Sequence, residues 1–135
     1  MRGLKILLGV TGSIAAYKAC ELVRRLKDEG ADVTCLLTHG AAKFVTPLTF
    51  SALSGHPVVM EIWDESLWKM AHLEFAESAN LILVAPASAD ALARMAAGFC
   101  HDVLGATILA APERRGAAAS NAIFPSLKTL FAKPA

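Results

Sequence analysis

Apolar residues along the chain fall into short blocks whose spacing switches between two periods. Residues 4–10 form an almost unbroken apolar run, the pattern of a strand covered on both faces of a parallel sheet. Over 14–29 the spacing becomes helical: Ala15, Ala19, Leu22, Val23 and Leu26 share one side, with Lys27, Asp28 and Glu29 on the wet side. Gly30 is placed to stop that helix. Residues 33–37 predict a second strand, and 41–44 and 47–53 one or two short helices before the break at Gly55-His56-Pro57. A short strand over 57–62 and a short helix over 73–79 follow, on either side of an irregular stretch around Trp63 and Trp68. The clearest strand is 81–85; a helix over 90–98 stops at Gly98, and 103–110 reads as either helix or strand. Strands alternating with helical segments of this length predict an α/β fold, a Rossmann-like three-layer α/β/α sandwich with a mostly parallel sheet.

Composition narrows the functional classes. The chain has 135 residues, 55% hydrophobic and 19% charged, with a formal net charge of +1. That is one domain's worth of chain, too apolar for a disordered tail and without the basic surplus of a nucleic-acid binder. Mean hydropathy is high at +0.47, yet no uncharged apolar run reaches the ~20 residues of a membrane span. The excess must be buried in a core and in contacts between subunits. Cys20, Cys35 and Cys100 are odd in number and widely spaced, which fits a reducing compartment rather than a disulfide framework or zinc site. The apolar N-terminus could pass for a signal peptide, but Gly9, Thr11, Gly12 and Ser13 interrupt it and a charged helix follows. A cytoplasmic location is expected. His39, His56 and His101 have no metal-ligand spacing and read as surface residues, as do Arg24-Arg25 and Arg114-Arg115.

In an open α/β sheet, ligands bind beyond the carboxyl ends of the strands. Three short polar segments fall there: Gly9-Val10-Thr11-Gly12-Ser13, Thr38-His39-Gly40, and Pro86-Ala87-Ser88-Ala89-Asp90. The first precedes a helix, where free amides and the helix dipole favour a phosphate. It is neither a nucleotide P-loop, lacking Gly-Lys-Ser/Thr, nor a dinucleotide fingerprint, since Thr38 stands where an acid is needed. As structure alone, it is a tight turn with Ser13 as helix N-cap. Small residues at all three ends leave room for a flat ring, so a flavin mononucleotide suits the pattern better than a nicotinamide dinucleotide.

Several separated motifs occur in one order: Ile6-Leu-Leu-Gly-Val-Thr-Gly-Ser-Ile-Ala-Ala-Tyr-Lys18, Phe44-Val-Thr-Pro-Leu-Thr-Phe-Ser-Ala-Leu-Ser-Gly55, His72-Leu-Glu-Phe, Val84-Ala-Pro-Ala-Ser-Ala-Asp90 and Gly98-Phe-Cys-His-Asp102. Through them the chain resembles the flavin-dependent cysteine decarboxylase family (the HFCD flavoproteins), and within it the phosphopantothenoylcysteine decarboxylases, over roughly residues 4–111. The resemblance implies that Gly12, Ser13 and Ile14 hold the phosphate region of FMN, with Thr38 at the second strand end and Phe44 nearby. It places Ala87, Ser88, Ala89 and Asp90 along the flavin, Asp90 being the acidic variant of a position where other members carry Asn. It makes His72 the active-site histidine. Members assemble as trimers, often stacked into dodecamers, with FMN where subunits meet. The implied reaction converts 4′-phosphopantothenoylcysteine to 4′-phosphopantetheine and CO₂, the flavin oxidising the cysteine moiety before CO₂ leaves. A free thiol has a pKa of ~8.5 and histidine ~6.5, so a histidine is a sensible proton acceptor.

After Pro112 the chain departs from that pattern. Members continue into a Pro-Ala-Met-Asn motif whose Asn binds the substrate carboxylate; here Glu113 to Pro125 contain no such motif. Residues 1–112 are thus expected to form the flavoprotein domain and 113–135 a divergent tail on the same domain. Ile123, Phe124, Leu127, Leu130 and Phe131 have the spacing of a closing helix. Two classes of function stay open: an FMN-dependent decarboxylase, and a non-catalytic or regulatory FMN-binding relative without the substrate clamp. A flavin prenyltransferase relative fits the glycine turn and the His72 segment less well.

Overall fold

The computed structural model describes residues 2–61 and 76–111, together with the backbone of Ala117–Ala119. In chain order the elements are β1 (Lys5–Val10), α1 (Ala16–Asp28), β2 (Asp32–Leu37), α2 (His39–Ala42), α3 (Pro47–Ser54), β3 (Leu81–Val84), α4 (Ala89–Ala97), α5 (Val103–Ala110) and β4 (Ala117–Ala119). The strands form one parallel sheet in the order β2-β1-β3-β4. Lys5 to Val10 pair in step with Asp32 to Leu37, and Ile6 to Gly9 with Leu81 to Val84.

The pleat divides the apolar runs between two cores. Ile6, Leu8 and Val10 of β1, with Val33, Cys35 and Leu37 of β2 and Leu83 of β3, face α1 and Phe50 of α3. Leu7, Leu36, Ile82 and Val84 point the other way, against Val103 and Leu104 of α5. Both faces are therefore covered, which is why these strands read as continuous rather than alternating apolar runs. The result is the expected three-layer α/β/α sandwich. Gly9 belongs to the second face, where a Cβ would come 2.5 Å from a Leu104 methyl, so its lack of a side chain makes room for α5.

Local signals account for most boundaries. Helix α1 buries Ala16, Ala19, Leu22, Val23 and Leu26 and ends before Gly30, whose φ of +89° suits glycine. Gly98, also left-handed, terminates α4. Two expectations are corrected, one open alternative is settled and one strand is added. The strand expected over 57–62 is reduced, among its described residues, to one bridge, Val59 to Leu36, just after Pro57, which has no N–H to give a ladder. Residues 103–110 are helical because Asp102 caps them, accepting the Gly105 N–H at 2.7 Å. Ser13 is not the N-cap of α1; Ala15 holds that position, and the Ser13 hydroxyl accepts the Ala15 N–H at 3.2 Å. A fourth strand forms at Ala117–Ala119, within the segment read only as a divergent tail. Residues 76–78 are helical, as expected for 73–79, whose first three residues lie outside the described residues, as do the expected closing helix and both tryptophans.

Candidate functional site

Strand β1 lies between β2 and β3, and the chain crosses to β2 on one side before reaching β3 on the other. The crevice at the carboxyl ends of β1 and β3 is thus a topological switch point, where α/β sheets bind ligands. The three polar segments singled out in the sequence all surround it.

Hydrogen bonds tie these segments together. Beyond β1, Thr11 is buried; its amide donates to Pro86 O at 3.2 Å, its hydroxyl to the same oxygen at 2.5 Å. The Ser88 N–H in turn donates to Thr11 Oγ1 at 2.8 Å. On the other side the Thr38 N–H donates to Val10 O at 3.1 Å, and its hydroxyl caps α2 by accepting the Ala41 N–H at 3.3 Å. Gly12 and Gly40 pack backbone to backbone: a Cβ on Gly12 would fall 2.9 Å from Gly40 Cα.

This arrangement points two helix starts at one crevice. Among the described residues, the amides of Gly12 and Ile14 donate to no protein acceptor. Ser88 caps α4 by accepting the Ala91 N–H at 3.1 Å, so Ala89 and Asp90 open its first turn with amides that have no intrahelical partner. Both helix starts offer positive potential to an anion. Around these donors, Ala87 is buried, Thr38 and Ser88 are half-buried, and Gly12, Ile14, Ala89 and Asp90 are exposed. Phe44, two residues beyond α2, is also exposed. Free amides, hydroxyls and exposed apolar side chains on one edge suit a ligand that joins a phosphate to a flat ring, so the residues present fit an FMN-like group. His72, the remaining expected site residue, lies outside the described residues.

Three charged or titratable groups extend from this edge along α4. Arg94 Nε donates to Asp90 Oδ2 at 2.8 Å, and Arg94 Nη1 lies 3.3 Å from His101 Nδ1. His39 and His56 are likewise paired, with Glu61 and Asp32. Among the described residues no group of three potential ligands could hold a metal. Burial pushes the Cys35 thiol up to about 12, with nearby Cys20 adding to the shift, so Cys35 is an inert core residue. A cavity of about 230 Å³ lined by Lys5, Asp32, Thr34 and His56 opens at the amino ends of β1 and β2, the end away from the switch point. Sequence reasoning named Thr11 and Gly40 only as members of the strand-end segments, with no role of their own, and did not name Arg94. Thr11 carried one legible signal, a hydroxyl directly after an apolar strand, and Arg94 another, its i, i+4 spacing from Asp90; the contacts of Gly40 with Gly12 and of Arg94 with His101 depend on the fold.

Comparison with known proteins agrees with the fold. The bifunctional coenzyme A biosynthesis protein CoaBC of Vibrio cholerae is 51% identical over 111 residues, covering 82% of this chain. The chain spans only 28% of that relative's length. Among solved structures, the FMN-dependent cysteine decarboxylase SpaF superposes with a TM-score of 0.78 at 29% identity, covering 86% of this chain and 66% of SpaF. A PPC decarboxylase variant complexed with pantothenoylaminoethenethiol gives 0.73 at 25% identity, covering 87% and 66%. The family profile described as Flavoprotein matches residues 1–129, and the chain belongs to the flavoprotein family.

Proposed function

We propose that the chain binds FMN and acts as a phosphopantothenoylcysteine decarboxylase, releasing CO₂ from 4′-phosphopantothenoylcysteine to leave 4′-phosphopantetheine. The observation that carries the reading is the convergence of the Gly12–Ile14 turn, Thr38 and the 87–90 segment on one switch point, in a chain 51% identical to CoaBC over 111 residues. The amides of Gly12 and Ile14, with the hydroxyl of Ser13, hold the phosphate end. Thr38 and Ala87 to Asp90 line the flavin, and Phe44 covers it. Bound FMN supplies the two-electron redox capacity that decarboxylation next to a thiol requires. His72 takes the thiol proton as general base: a histidine of pKa ~6.5 lies about two units below a thiol of ~8.5, a transfer uphill by only ~2.7 kcal/mol that the following redox step draws forward. Arg94 keeps the Asp90 carboxylate oriented and offsets its charge beside an anionic ligand. Residues 1–112 carry this domain, and 113–135 are a divergent tail packed on it that adds β4 to the sheet. The protein works as a cytoplasmic homo-oligomer, trimer or larger, as its exposed apolar residues suggest.

A second reading is favoured by one observation: Glu113 to Pro125 contain no Pro-Ala-Met-Asn segment. On that reading the chain binds FMN without turnover. One experiment separates the two. Purified protein is saturated with FMN and then given 4′-phosphopantothenoylcysteine while absorbance and CO₂ are followed. A decarboxylase bleaches transiently and releases CO₂, and His72→Asn abolishes the release while keeping the flavin spectrum. A bound flavin that never bleaches selects the second reading; protein that stays colourless rejects both.

A further inference from the structure

Thr11 is one of only a few buried polar residues among those described, and both roles of its hydroxyl are in use. It donates to Pro86 O and accepts from the Ser88 N–H, joining residues 75 and 77 positions apart. The sheet does not depend on this link. Ile6 to Gly9 already pair with Leu81 to Val84, the Ala85 N–H donates to Gly9 O at 2.9 Å, and Thr11's own amide holds Pro86 O. What the hydroxyl alone fixes is the Ser88 backbone. Ser88 is the cap of α4, so its position decides where the Ala89 and Asp90 amides stand relative to those of Gly12 and Ile14. Without the hydroxyl the half-buried Ser88 N–H has lost its acceptor, and the loop must move to find another.

We propose that Thr11 is a positioning residue of the flavin site: its hydroxyl clasps the 86–88 segment to β1 and sets the spacing between the two helix starts that receive the cofactor. The proposal rests on the FMN reading above. Thr11→Ala and Thr11→Ser both lose the methyl group and differ only in the hydroxyl, so the pair isolates the clasp. FMN affinity of the folded protein, measured by quenching of flavin fluorescence, is expected to fall at least ~tenfold in Thr11→Ala. In Thr11→Ser it stays within about twofold of the parent, with the parent's bound-flavin absorption spectrum. Equal affinities in Thr11→Ala and the parent, or equal losses in the two variants, overturn the proposal.

If Thr11→Ala does not fold, the donor side decides. Ser88→Pro removes the N–H that Ser88→Ala retains, and the native φ of −69° at this position accommodates proline. Weaker FMN binding by Ser88→Pro than by Ser88→Ala supports the clasp; equal binding overturns it. A parent protein that takes up no FMN rejects the cofactor reading instead. The clasp is then judged by hydrogen exchange of the Ser88 amide in the unliganded chain. Protection in the parent and Thr11→Ser but not in Thr11→Ala supports it, and uniform exchange overturns it.

Discussion

A methyl group on Gly12 would meet the Cα and carbonyl carbon of Gly40 at 2.9 and 3.0 Å, and neither is an atom that can swing away. Gly12→Ala must therefore push the loops after β1 and β2 away from each other. The expected cost is about 1–3 kcal/mol of stability in urea unfolding, with loss of FMN affinity in the same variant. Binding that survives intact would mean the loops separate without consequence for the ligand. Cys35 gives a different kind of prediction. Its thiol, held up to about 12 chiefly by burial, stays protonated in the folded chain while an unfolded thiol ionises near pH 8.5. A raised folded pKa gives stability that is fully present below the unfolded value and lost as pH rises toward the folded one. Unfolding free energy should then decline between about pH 9 and 12, at a slope approaching ~1.4 kcal/mol per pH unit from this group. Cys35→Ala removes that contribution to the slope, although its absolute stability is lower. An unchanged alkaline slope in the variant would place the effect elsewhere.

At the scale of elements, legibility followed how local the causes are. Strands β1 and β3 were readable because burial on both faces writes itself as a short apolar run, and α1 because one buried stripe repeats at helical spacing. Helix α5 was ambiguous for the converse reason. Val103, Leu104, Gly105 and Thr107 are all buried, so no polar face marks the period, and the Asp102 cap was the signal to weigh. Strand β4 left almost no trace. An alanine triplet has low strand propensity, and its strand character comes from pairing of Ala117 to Ala119 with Ile82 to Val84. The candidate site divides the same way. The segments that hold Gly12, Ser13, Thr38 and residues 87–90 could be named because strand ends are predictable places for ligands, and the role of each residue because of the family resemblance. Thr11 and Gly40 lay in the same segments, but their contacts could not be read, because the clasp to Pro86 and Ser88 and the packing against Gly12 join loops far apart in sequence. The Asp90–Arg94 pair lay within reach as an i, i+4 spacing, but its extension to His101 depends on how the loop after Gly98 turns back.

For the whole molecule, the apolar surplus divides into a buried share and a residue left outside. The two cores take the strand side chains, yet Ile14 is 72% exposed, Leu48 77% and Phe44 50%, all in segments that follow the carboxyl ends of β1 and β2. Exposed apolar residues scattered singly need no explanation, but Ile14 and Phe44 are themselves candidate site residues and Leu48 opens the helix that follows Phe44. Burying a side chain of this size contributes about 1.5–3 kcal/mol, so a few of them repeated by symmetry can hold subunits together. Assembly and cofactor binding should then be coupled, because a ligand that prefers the assembled form shifts the chain toward it. Leu48 separates the two effects, since it lies outside the residues assigned to FMN. In analytical ultracentrifugation the parent chain is expected to sediment as a trimer or larger, more completely with FMN than without. Leu48→Glu should shift it toward monomer and weaken FMN binding in proportion. Were the parent monomeric with saturating FMN, or Leu48→Glu to bind FMN normally as a monomer, the exposed residues would have no role in the site.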